Sequence, residues 1–274
     1  MSTVVLASAS GAPGVTTTAL GLTLAWPRDV LLLDADRSAA HTVLAGYLRG
    51  QAPHALGVQG LLQAYRERLP MGEALLANAV ALPDAPASRA AEDPSVPDRR
   101  FVPGFTHLGS VGLFDGVWGS LLEAGRGSER DLVVDAGRLG PAGLAGELAG
   151  GADVIGLVCR TTLVSLAALR LHLPPLVDSG PPGRVGLVLV GPGRPYGARE
   201  VADQFGVRVL AEIPWEPKAA ADLIEAGSLP RNWSRQGLAR SYARTAEQLR
   251  AAMIEGLTLP QAAAATTVGA GGAA

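Results

Sequence analysis

A single doubly wound α/β domain, with a mostly parallel sheet and helices on both faces, is what this 274-residue chain predicts. Three observations predict it. Short apolar, β-branched runs alternate with stretches of helical spacing, the pattern of repeated strand–helix–strand units. Two of those runs end in aspartates, at Asp34-Ala35-Asp36 and at Asp135, as parallel strands do when they deliver acids to the sheet edge where ligands bind. The first run opens into a loop of small residues that leads directly into a helix.

Composition sets the bounds. With 48% apolar residues the chain can bury a sizeable core, and one domain over residues 1–255 with a tail is the natural division. A net charge of −2 gives no general pull toward nucleic acid or anionic membrane. Lys218 is the single lysine among 23 basic residues, so no other lysine can serve a site that needs one. The one cysteine, Cys159, excludes an intramolecular disulfide and a cysteine-rich metal site, and its apolar surroundings read as core. The start lacks the basic segment of a signal peptide, and no apolar run reaches the ~18 residues of a spanning helix, so a cytoplasmic protein is expected.

The first strand is expected at 3–6 and the first helix at 19–25, ending before Trp26-Pro27. Between them lies Ala7-Ser8-Ala9-Ser10-Gly11-Ala12-Pro13-Gly14-Val15-Thr16-Thr17-Thr18. Strand, small-residue loop, Thr-Thr, helix is the layout of a phosphate-binding loop, in which backbone N–H groups and the positive helix end surround an anion. Laid on the pattern G-x-x-x-x-G-K-[ST], Ala9 takes the first glycine, Gly14 the second, Val15 the lysine and Thr16 the hydroxyl. The cradle is written, but its cation is missing.

At this point the loop resembles the deviant P-loop of the MinD/ParA family of partitioning and positioning ATPases, x-K-G-G-x-G-K-T-T. Gly11, Gly14, Thr16 and Thr17 match it. Ser10 stands where that family has the lysine that reaches a dimer partner's nucleotide, Val15 where it has the lysine on the β/γ-phosphates, and Ala12 where it has a glycine. The resemblance implies a P-loop nucleotide-binding fold, ATP and Mg²⁺ as weakly held cofactors, and a nucleotide cradle of Gly11, Ala12, Pro13, Gly14, Val15, Thr16 and Thr17. It implies metal ligands Thr16, Asp36 and Asp135, with Asp36 and Asp135 catalytic only if the protein is active.

The later elements extend the resemblance in order. The run 29–36 matches the family strand whose last acid lies near the attacking water, and Asp36 takes that place; Asp34 and Asp36 can equally cap a helix over 38–48. Helices are expected at 57–65, closed by Arg66 to Arg68, and at 71–81. Residues 83–100 are rich in Pro, Ala and acid and read as a mobile insertion, with order restarting at Phe101. A helix over 111–123 puts Phe114, Val117, Trp118, Leu121 and Leu122 on one face, Trp118 as core. The strand 131–135 ends in Asp135, the Walker B acid that orients a magnesium shell. After it the family has Asp-x-Pro-Pro or Asp-x-x-x-Gly; here Ala136-Gly137-Arg138 follows, and Arg138 is either a cation for phosphate or a solvated loop arginine.

Further strands are expected at 151–160, 184–190 and 207–210, with helices at 163–173, 197–205, 218–226 and 234–255. Six strand candidates result. Gly191-Pro192-Gly193 replaces the family's asparagine-containing base reader, while 211–217 resembles its x-x-I-P-x-D turn beside the base. Arg231, Arg235, Arg240 and Arg244 read as a solvated face rather than a nucleic-acid surface. The tail, 256–274, is Ala/Gly-rich and flexible, and lacks the basic amphipathic membrane helix of MinD proteins.

The reading that unites these departures is a degenerate MinD/ParA-like P-loop protein with weak or no ATP hydrolysis. It would act as a positioning or scaffold partner, as pilus-assembly localisation proteins of the TadZ/CpaE kind do, with a protein partner and a homodimer implied. Two alternatives stand beside it. One is an active ATPase in partitioning or septum-site placement; the other is a binder of a non-nucleotide phosphate ligand.

Overall fold

The computed structural model describes residues 2–11, 13–51, 56–83, 96–225 and 229–258. Eight strands form one sheet: β1 (Thr3–Ser8), β2 (Val30–Asp34), β3 (Val80–Ala81), β4 (Arg99–Val102), β5 (Asp131–Arg138), β6 (Val154–Arg160), β7 (Val185–Val190) and β8 (Val209–Ile213). Their order is β3-β4-β2-β5-β1-β6-β7-β8, and every pairing is parallel except that of β3 with β4. The strands β1 and β2 are buried throughout, and β5, β6 and β7 are buried except at their last residue, as crossover helices on both faces require. In β1, Val5 and Ala7 enter one core layer and Val4 and Leu6 the other, following the two-residue period of a strand.

Among the described residues ten helices cover the faces: α1 (Val15–Ala25), α2 (Val58–Arg66), α3 (Met71–Ala77), α4 (Gly109–Phe114), α5 (Trp118–Arg126), α6 (Gly146–Gly151), α7 (Leu163–Asp178), α8 (Ala198–Phe205), α9 (Pro217–Glu225) and α10 (Gly237–Thr258). The helix α1 is largely enclosed. Its Leu20, Leu22 and Leu24 are buried, and the ring of Tyr242 from α10 lies against Gly21. A Cβ at Gly21 would fall 2.2 Å from Tyr242 Cε2, so only glycine lets the two helices approach this closely.

Below the sheet, the N-terminal ends of the strands are closed by a polar knot. Asp131 is buried and accepts from the Trp26 indole Nε1 at 3.0 Å and from Ser2 N at 3.2 Å, with Arg250 Nε of α10 at 3.5 Å. Arg99, also buried, donates from Nη2 to Trp26 O at 2.7 Å, and its burial lowers the affinity of the guanidinium for its proton.

Several expectations move. The helix expected over 38–48 contracts to a π-helical turn, Val43–Tyr47. Asp36 caps a tight turn instead, accepting at Oδ1 from Ser38 N (2.9 Å) and Ser38 Oγ (2.7 Å). The helix expected at 71–81 stops at Ala77, and Val80–Ala81 turn back as the antiparallel edge strand β3. The strand β4 begins at Arg99, ahead of the start expected at Phe101, because Arg99 and Arg100 pair with Val30 and Leu31; residues 84–95 of the expected insertion lie outside the described residues. The helix expected over 111–123 is split by a 3₁₀ turn, Asp115–Val117, which lets Phe114 and Trp118 meet edge to face at 5.1 Å; Trp118 is core, as expected. The helix α10 runs to Thr258, past the expected boundary at 255, and the rest of the tail lies outside the described residues. No described helix is long and apolar enough to cross a membrane.

Candidate phosphate-binding site

The loop leaves the C-terminal end of β1, between β5 and β6, where the chain's connections diverge to the two halves of the sheet. Ligands of open α/β sheets sit at such a point. Gly14 forms the N-cap of α1 with φ 99° and ψ 32°, a left-handed conformation that a side chain would strain, and Thr18 N donates to its carbonyl at 2.9 Å. No side chain caps this helix, so the N–H groups of its first turn stay available to an anion.

The residues singled out in sequence fall as follows. Gly11 is exposed, Pro13 is buried, and Ala12 lies outside the described residues. Val15 is only 6% exposed and packs into the core with Val4 and Leu6, so it offers the loop a backbone N–H and nothing more. Thr17 lines a cavity beside the loop, and the Thr16 hydroxyl is near enough to Asp135 to favour its charged form. Lys218 does not replace the missing cation: it is exposed on α9 and its Nζ lies 2.8 Å from Asp222 Oδ2. Ser10 Oγ is 3.0 Å from Ser165 Oγ in the first turn of α7, and Ser165 Oγ also accepts from Arg160 N at 3.1 Å.

Three carboxylates gather at the adjoining strand ends, all buried: Asp34, Asp36 and Asp135. Burial pushes Asp34 up to about 8, with the charge of Asp135 adding to it; the amide of Asp36 donates to Asp34 Oδ1 at 3.1 Å and opposes the shift. Burial likewise raises Asp135 to about 6, against bonds from Thr16 and from Gly137 N at 2.9 Å that favour its charged form. The cluster is held together by β5. Ala35 N donates to Asp135 O at 2.8 Å, and Gly137, at φ 61°, lies so close to Asp36 that a Cβ there would sit 2.3 Å from its carboxyl carbon. One residue on, Arg138 is exposed and brings Nη1 to 3.9 Å from where a Cβ on Gly11 would be.

On the other side of the loop, Pro13, Gly14, Thr17 and Thr18 form one wall of a cavity of about 240 Å³, closed by Pro214, Trp215 and Glu216 and by Tyr242 of α10. A neighbouring cavity of about 270 Å³ shares Arg160 and Trp215 with it and extends to Gly191 and Arg194. Arg160 stacks over the Trp215 ring at 4.4 Å and Arg194 approaches it at 6.0 Å. Arg160 was not among the residues expected here, whereas Trp215 and Glu216 lie in the 211–217 turn that was. The signal for Arg160 was its place at the end of a buried strand, the same signal that marks Asp36 and Asp135.

These residues fit a magnesium-bound phosphate chain in donor chemistry. The loop offers backbone N–H groups, and Thr16, Asp36 and Asp135 are hard oxygen donors of the kind Mg²⁺ takes. Among the described residues no three His, Cys, Asp or Glu side chains converge to hold a metal by themselves, so Mg²⁺ here would share its shell with phosphate oxygens and water.

The sheet order, the loop and the acids at the strand ends define the class: a P-loop nucleoside-triphosphatase fold. More narrowly, the fold is that of the MinD and ParA ATPases. The ParA family ATPase of Chlorobium tepidum superposes with a TM-score of 0.70 at 16% identity over 90% of this chain and 98% of that one. The MinD cell division protein of Aquifex aeolicus gives 0.67 at 18% over 92% and 98%. The septum site-determining protein MinD of Pyrococcus horikoshii, solved with Mg-ADP, gives 0.66 at 18% over 90% and 95%. No protein-family model and no curated protein sequence matches the chain.

Proposed function

We propose that this chain is a degenerate MinD/ParA-like P-loop protein whose ATP hydrolysis is weak or absent and which acts as a positioning or scaffold partner, pilus-assembly localisation being one concrete setting. The observation that carries this reading is the fate of the two lysine positions. Val15 is built into the core, Ser10 is tied inward to Ser165, and Lys218 is paired on the surface with Asp222. A hydrogen bond to a charged group contributes about 1.5–3 kcal/mol, so losing the loop lysine weakens triphosphate binding roughly ten- to a hundredfold. It also removes charge stabilisation from phosphoryl transfer, in which positioning and electrostatics do nearly all of the work.

In this reading the backbone from Gly11 to Thr17 holds the phosphates, while Thr16, Asp36 and Asp135 hold Mg²⁺ directly or through water. Mg²⁺, when bound, would neutralise phosphate charge. A working partition in which ATP drives assembly is replaced by a folded surface that meets a protein partner, or a second copy, without depending on turnover.

The test is steady-state phosphate release from Mg-ATP by the full chain beside its Asp36→Ala variant. Equal, background-level release is expected from both. Turnover by the natural chain that disappears in Asp36→Ala would overturn the proposal in favour of an active partitioning ATPase.

A further inference from the structure

We propose that Arg138 is the cation of this loop: a phosphate chain is gripped from the end of strand β5 instead of by a lysine at the head of α1. The proposal rests on the reading of Gly11 to Thr17 as a phosphate cradle.

Position carries the argument. Leu139 N donates to Ser8 O at 2.8 Å and Arg138 is in register with Ser8, so the backbone of residue 138 is pinned beside the start of the loop while its side chain is exposed. Three residues of one strand end then serve one site. Asp135 lies beside the Thr16 hydroxyl, Gly137 lies against Asp36, and Arg138 lays its guanidinium beside Gly11.

Arg37 is paired with Asp115 at 2.8 Å and Lys218 with Asp222 at 2.8 Å, while Arg160 and Arg194 stand on the other side of the loop, at the Trp215 ring. Among the described residues, none forms an ion pair with Arg138. A guanidinium also suits the task, since it stays charged at any working pH and meets two phosphate oxygens at once.

Direction follows from the sheet. The strands β5 and β6 flank β1, so Arg138 and the Arg160–Trp215 stack stand on opposite sides of the loop. A ligand whose base or other ring occupies the cavity at Trp215 crosses the loop with its phosphates and meets Arg138 with the far end of the chain. Arg138 therefore reads the terminal phosphates, and a monophosphate does not reach it.

The experiment is titration calorimetry of the full chain with Mg-ATP, pyrophosphate and AMP, in the natural protein, Arg138→Ala and Arg138→Lys, with thermal unfolding as the folding control. Arg138→Ala is expected to weaken Mg-ATP and pyrophosphate about ten- to a hundredfold and to leave AMP within about threefold, with Arg138→Lys in between and all three proteins melting together. Unchanged Mg-ATP affinity in Arg138→Ala would overturn the role of the arginine and leave the cradle standing. Equal weakening of ATP and AMP would overturn its assignment to the terminal phosphates. If the natural chain binds neither Mg-ATP nor pyrophosphate at millimolar concentration, the cradle itself falls and the arginine with it.

Discussion

Ser10 Oγ and Ser165 Oγ lie 3.0 Å apart, which binds the loop to the first turn of α7 within one chain. The side chain of Ser10 is thus turned to an internal contact. Ser165 Oγ also takes the amide of Arg160, so one hydroxyl holds the loop, α7 and the end of β6 together. Ser165→Ala is expected to lose about 1–2 kcal/mol by chemical denaturation, since two bonds go and a partly buried amide is left unpaired. A loss below the error of the measurement would show the loop to be held by other contacts.

The knot at Asp131 predicts two effects of different size. Trp26→Phe removes one neutral donor and should cost about 1 kcal/mol beyond its change in packing. Asp131→Ala leaves the indole, the Ser2 amide and Arg250 without their shared acceptor in a buried place, and should cost about 3–5 kcal/mol. Urea unfolding of both variants checks the order; equal losses would mean that Arg250 finds water.

Much of this was legible in the sequence, for a physical reason. Buried parallel strands are near-continuous apolar runs, so β1, β2, β5, β6 and β7 announce themselves, and the acids that end β2 and β5 fall at the ligand edge because strand polarity puts them there. The strand β3 did not, because two residues carry no period and its partner β4 was read as the end of an insertion. The 3₁₀ turn at Asp115–Val117 was hidden because its apolar residues keep helical spacing on both sides. Within the site, Asp36, Asp135 and the loop were readable from local order. The stack of Arg160 on Trp215 joins residues far apart in sequence and needed the sheet to bring the end of β6 and the turn after β8 within reach across β7.

Asp34 contributes one part of the pH dependence of stability. Its carboxyl keeps its proton to about pH 8 in the folded chain, whereas an unfolded aspartate releases it near pH ~4. Between those values the folded state holds a proton that the unfolded state has lost. Stability contributed by this group is therefore full below about pH 4 and falls as the pH rises toward 8. Asp34→Asn keeps an acceptor for the Asp36 amide and should flatten that decline, making the variant the more stable of the two at about pH 8. Parallel denaturation midpoints for the two proteins from about pH 5 to about pH 8 would count against a protonated Asp34.

Lys218→Ala should change little. The pair with Asp222 is exposed, one helical turn apart, and such pairs contribute about 0.3–0.5 kcal/mol. Mg-ATP affinity by calorimetry is expected to be unchanged as well, and a drop would return the lone lysine to the site.

Gly21→Ala is the substitution expected to do most harm for its size. One methyl group meets the Tyr242 ring at 2.2 Å, and overpacking of this kind costs about 1–3 kcal/mol or more unless the ring moves. Gly21→Ala with Tyr242→Leu should recover part of the loss in a double-mutant cycle.

The seat of Tyr242 on Gly21 leaves α1 and α10 no gap in which to slide past each other. The loop is the head of α1, and α10 is the last described element before the end of the chain. Gly21 and Tyr242 make α10 a direct neighbour of the helix that carries the loop, so a displacement of α1 would meet α10 as well as the sheet.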